Sequence, residues 1–128
     1  MKPDFSGEYV LDRQASRLSP SASAMTGATL RIEHREPRFR CSGRFVVGDA
    51  TVNEFTFEVP TKWDDDAIVN EMHIDTHGPP FTMTWRYELL EGGRRMRATE
   101  TIRGGGRDQD SVWEFTRSAS AAITSTTS

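Results

Sequence analysis

Apolar and polar residues alternate strictly along most of this chain, and helical spacing hardly appears. The cleanest run sets Phe81, Met83, Trp85, Tyr87 and Leu89 on one side of a strand and Thr82, Thr84, Arg86 and Glu88 on the other. Earlier, Tyr9 and Leu11 share a face within Glu8 to Asp12, and Leu30, Ile32 and His34 do so within Thr29 to Glu36. Phe39, Cys41, Gly43 and Phe45 stand opposite Arg38, Arg40, Ser42 and Arg44, which makes the charged face the wet one. Asn53, Phe55, Phe57 and Val59 oppose Glu54, Thr56 and Glu58, and Ile68, Asn70, Met72 and Ile74 form the following row. The last two rows are Met96, Ala98, Glu100 and Ile102, then Ser111, Trp113 and Phe115.

Turn residues separate these runs: Pro37, Gly48-Asp49, Pro60 with Asp64-Asp65-Asp66, Gly78-Pro79-Pro80, Gly92-Gly93 and Gly104 to Gly106. Arg13 to Ala28 is rich in Ser and Ala, is interrupted by Pro20, and reads as a long loop placed to act as a mobile flap over one end of the fold. Ser118 to Ser128 reads as a disordered tail. The expectation is an all-β fold, a single antiparallel up-and-down β-barrel of about eight to ten strands without large helices, over residues 1–117. A two-sheet sandwich is the alternative, but the meander lacks the long crossover of a Greek key. A barrel of this size can enclose one small ligand.

Composition narrows the partners. A chain of 128 residues fits one domain, and its net charge of −3 comes from acidic and basic residues mixed throughout, with no Lys/Arg-rich block. The footprint of a nucleic-acid binder is therefore missing. A single cysteine, Cys41, excludes an internal disulfide and a Cys-rich zinc site, and reads as a small buried apolar residue. No apolar run reaches the length of a membrane span, and MKPDFSGEY lacks the apolar middle of a signal peptide. The chain reads as cytoplasmic as written, or periplasmic or secreted if a leader was removed, and as a monomer or a homodimer. No cofactor is expected.

Glu100 carries the most chemistry, because it places a carboxylate in an apolar row. Such a group must be paired, hydrogen-bonded or neutral, and desolvation raises its pKa toward the range useful to a general acid or base. Asn53, Tyr87 and Trp113 are candidate partners for it. His73, Asp75 and His77 share a face at a spacing that suits a transition metal, but Met72 and Ile74 claim the inner side of that strand, so no metal site is assigned. His34 reads as a strand-end histidine beside Pro37. Gly104-Gly105-Gly106-Arg107 reads as a hairpin turn and not as an anion cradle, since no helix follows. The aromatic set Phe55, Phe57, Trp85, Tyr87 and Trp113 fills a core or lines a cavity; periodicity leaves both open.

The opening DFSGEYVLD, followed by a loop and ATLRIEH, resembles the start of bacterial lipocalin-like domains of the calycin superfamily, which also contains fatty-acid-binding proteins. In that pattern a Gly-x-Trp lies on the first strand; Gly7 and Tyr9 match it here, with tyrosine in place of tryptophan. The resemblance implies that an arginine of the last strand, here Arg117, covers Tyr9 at the closed end. It spans Asp4 to Arg117 loosely and departs from the family in four ways: no disulfide, no helix after the barrel, no paired lid helices, and no inward arginines to hold a fatty-acid carboxylate. The expected function is binding of a small, largely apolar molecule, aromatic ones included, by Tyr9, Asn53, Phe55, Phe57, Met72, Met83, Trp85, Tyr87, Glu100 and Trp113. The alternative is a cofactor-independent isomerase or cyclase in which Glu100 is the catalytic acid or base.

Overall fold

The computed structural model describes residues 2–20, 22–75, 78–106 and 108–118, apart from the side chain of Val52. Alternation is realised as nine strands: β1 (Gly7–Leu11), β2 (Gly27–Arg35), β3 (Arg38–Val47), β4 (Ala50–Pro60), β5 (Trp63–Asp64), β6 (Ala67–Ile74), β7 (Phe81–Leu90), β8 (Arg95–Arg103) and β9 (Gln109–Arg117). They form one antiparallel sheet in the order β4-β3-β2-β1-β9-β8-β7-β6-β5. The meander is thus joined through its first and last strands, Tyr9 pairing with Arg117 and Leu11 with Phe115. The turn between β7 and β8 contains a short 3-10 segment, Glu91–Gly93, in which Gly92 has φ 67°. Of the expected tail Ser118–Ser128, Ser118 donates its N–H to the Glu8 carbonyl at 2.7 Å, while residues 119–128, like His77 and Arg107, lie outside the described residues.

The expected closed barrel is corrected in one respect: the sheet curls, but its hydrogen-bonded ladder does not close, and β4 and β5 are its two ends. Curling is evident from rings that meet across the interior, Phe39 of β3 with Tyr87 of β7 at 5.4 Å and Phe45 of β3 with Trp113 of β9 at 5.3 Å between centroids. Closure fails because β5 holds only Trp63 and Asp64 before the acidic turn reverses the chain, with Asp65 at φ 55°. Apart from the Val69 N–H, which donates to the Lys62 carbonyl at 2.9 Å, β6 beyond Ile68 therefore has no ladder partner on that side among the described residues. At one pole the two ends are nevertheless pinned. Thr61 N–H donates to the Pro37 carbonyl at 2.8 Å, and Glu36 Oε1 accepts from Trp63 Nε1 at 2.7 Å and lies 3.1 Å from His34 Nε2.

The same pole holds the solid core. Phe5, Tyr9, Phe39, Phe115, Ile32, Ile68 and Met96 are fully buried. The Tyr9 hydroxyl donates to the Phe5 carbonyl at 2.6 Å, and the Arg117 guanidinium lies over the Tyr9 ring, 5.5 Å from its centroid. Arg117 also donates to the carbonyls of Gly93, Asp4 and Ser6, so one cation ties the N-terminal segment to the β7–β8 turn. His34 accepts the Phe5 N–H at Nδ1 (3.2 Å), which leaves the proton of the neutral ring on Nε2, facing Glu36. Its ring packs between Phe5 and Trp63, so this strand-end histidine is a structural tie. Burial pushes the Cys41 thiol up to about 12, in keeping with its apolar role.

The segment read as a mobile flap is stapled to the sheet along its first half. After β1 ends, Arg17 takes over pairing with β9 through two backbone hydrogen bonds to Val112, each 2.8 Å. Ser16 Oγ accepts from Glu114 N–H, and Ser111 Oγ accepts from Ser19 N–H, both at 2.8 Å. This covering buries Glu114, which alternation alone assigns to solvent; Arg97 Nε meets its carboxylate at 2.7 Å.

Candidate functional site

Away from the pinned pole, the curled sheet encloses a cavity of about 790 Å³, partly open to solvent. This is within the range of small-molecule sites, roughly 300–1,000 Å³. Asn53, Phe55 and Phe57 of β4, Met72 of β6, Met83, Trp85 and Tyr87 of β7, Glu100 of β8 and Trp113 of β9 all line it. Strand register explains the convergence: Met72 pairs with Met83, Trp85 with Glu100 and Ala98 with Trp113, so the inner rows run across the sheet side by side. Thr56 also borders the cavity, although alternation sets it on the face opposite Phe55 and Phe57. The cavity therefore reaches the free edge of β4, where both faces are accessible.

Tyr9 is the exception among the expected ligand-binding residues. It is not part of the wall, because the first strand crosses the sheet at the solid pole, where its ring is enclosed and its hydroxyl is satisfied. The structure adds Ala22 and Met25 from the loop before β2, together with Leu30, Phe45, Phe81 and Gln109. Leu30 and Phe45 stood in apolar rows of the sequence. Met25 carried no such signal, since it lies in a segment without periodicity and reaches the cavity through the fold of that loop. His73 points outward, with Nδ1 3.0 Å from Thr82 Oγ1 and Nε2 3.4 Å from Glu71. Among the described residues no cluster of three or more potential ligands could hold a metal ion.

Glu100 is 7% exposed, and its Oε1 accepts from the Trp113 indole N–H at 3.1 Å. Burial raises its pKa above the ordinary carboxylate value, against the opposing pull of hydrogen bonds from Trp113 and Ser111. Neither donor is a cation, and no ion pair to Glu100 forms among the described residues. The Tyr87 hydroxyl has its pKa raised by burial and by the neighbouring thiol of Cys41 and carboxylate of Glu100, so it stays a neutral donor. One strand further, Asn70 is buried on the inner face opposite Trp85, with its Nδ2 unpartnered. The site is thus an apolar aromatic chamber with a few polar groups on its wall: Asn53 and Thr56 of β4, Tyr87 of β7, Glu100 of β8 and Gln109 of β9.

No match to the chain is found among protein-family models, curated proteins or solved structures. What stands is an all-β antiparallel up-and-down sheet, compatible with a barrel-like fold, in which no helix among the described residues is long and apolar enough to cross a membrane.

Proposed function

We propose that the protein binds a small, largely apolar, aromatic molecule in this cavity, as a calycin-type carrier or sensor. The observation that carries the reading is the combination of a roomy chamber, walls of aromatic and methionine side chains, and one buried carboxylate to orient a polar end. Arg117 over Tyr9 at the solid pole supports the calycin likeness. A filled scaffold would not leave such a volume, since interiors normally pack without voids larger than a water molecule.

Titration with N-phenyl-1-naphthylamine, a neutral fluorophore that brightens in apolar surroundings, tests the reading. Saturable enhancement at one site, competed by whatever molecule native mass spectrometry finds bound to the freshly purified protein, is expected. Absence of both a co-purified molecule and saturable enhancement would overturn it. A second reading draws on the raised pKa of Glu100, which suits a group that moves a proton during isomerisation or cyclisation. Conversion of a co-purified molecule on prolonged incubation, lost in Glu100→Gln, would favour that reading; recovery of the molecule unchanged would favour the carrier.

A further inference from the structure

Resting on the proposed binding role, we infer that the polar end of the ligand is an organic cation, an amine or quaternary ammonium joined to an apolar body, held between Glu100 and the rings of Trp85, Tyr87 and Trp113. The first ground is charge balance. Glu100 is buried, and among the described residues it receives hydrogen bonds only from neutral donors and no Lys, Arg or His lines the cavity. A buried carboxylate normally has a countercharge, and removal of one partner from such a pair is strongly destabilising. Here the countercharge is the part that the described residues do not supply.

The second ground is the arrangement of aromatic rings. Trp85 is the direct cross-strand neighbour of Glu100, and Trp113 donates its indole N–H to the carboxylate. Tyr87 lies next along β7, its ring stacked on Trp85 at 6.1 Å with an interplanar angle of 8°, and Trp113 is tilted 47° to Trp85. Ring faces attract ammonium groups, most strongly when both are out of water. An acid with aromatic neighbours therefore favours a cation twice over, through charge and through the ring quadrupoles. A metal ion would demand several oxygen or nitrogen ligands, and Glu100 belongs to no such cluster among the described residues. The same carboxylate repels a fatty acid, and the cavity wall offers no described cation to offset that repulsion.

The test compares three probes of similar shape by isothermal titration calorimetry at neutral pH: 2-(2-naphthyl)ethylammonium, 2-(2-naphthyl)ethanol and 3-(2-naphthyl)propanoate. The amine should bind about tenfold or more tightly than the alcohol, with the carboxylate weakest. In Glu100→Gln the amine's advantage should vanish while the alcohol keeps its affinity. Trp85→Leu should weaken the amine more than the alcohol, and it carries the test if Glu100→Gln does not fold. Equal binding of amine and alcohol, or an amine preference that survives both substitutions, overturns the inference and leaves the apolar carrier standing. Failure of all three probes overturns the inference, and the binding role falls with it only where N-phenyl-1-naphthylamine also fails to bind and no molecule co-purifies.

Discussion

Phe55 on β4 lies in the hollow left by Gly43, its partner on β3: a Cβ at position 43 would stand 2.5 Å from Phe55 Cζ and 2.7 Å from Leu30 Cδ2. A missing side chain in the wall thus gives the phenyl ring its seat. Gly43→Ala must displace Phe55 or Leu30, and both border the cavity. The expected cost is about 1–3 kcal/mol, read from urea denaturation, together with weaker binding of N-phenyl-1-naphthylamine. Unchanged denaturation and binding would mean that the ring turns aside freely and that the hollow has no part in shaping the site.

Tyr9 separates stability from binding. Its hydroxyl donates to the Phe5 carbonyl inside the core, far from any solvent that could replace it. Tyr9→Phe should therefore cost about 1–2 kcal/mol by chemical denaturation and leave probe affinity as it was. A loss of affinity without a loss of stability would return Tyr9 to the binding site.

Glu100 gives stability a dependence on pH whose sign follows from its raised pKa. The folded state holds the proton more tightly than the unfolded one, so the group's contribution is fully present below the unfolded carboxylate pKa. It is lost as pH rises through the folded value. Glu100→Gln removes this term, so the variant should match the parent in acid and equal or exceed it at neutral pH. Urea midpoints taken at intervals from acid to neutral pH check this; a variant that falls below the parent only at neutral pH would show that the ionised carboxylate is a stabilising partner.

Most strands were legible because one face of each is wet. The rows of β3, from Phe39 to Phe45, and of β8, from Met96 to Ile102, pair in the sheet as their alternation requires. Glu100 announced itself for the same reason, as a carboxylate in a row where any one-residue slip would bury arginines instead. What alternation cannot express is contact between segments without periodicity. Glu114 is buried because the segment around Ser16 folds over it, and Met25 reaches the cavity from that same segment. The missing closure was equally silent, since it depends on how abruptly the Asp64-Asp65-Asp66 turn cuts β5 short, and composition does not encode the length of a strand's partner. Tyr9 shares the inner face but stands outside the cavity wall, because periodicity reports which face is inside, not how deep.

The pin between Glu36, His34 and Trp63 gives the unclosed sheet a mechanical asymmetry. Around most of its circumference the chamber wall is a ladder, and neighbouring strands cannot separate there without breaking several backbone hydrogen bonds together. Between β4 and β6 nothing of that kind fixes the spacing among the described residues. The wall there is held by a hinge at one end and by side chains along the rest, like a book bound at its spine. Its width is then set by packing, one contact at a time, so the chamber can widen or narrow on that side without breaking a strand ladder.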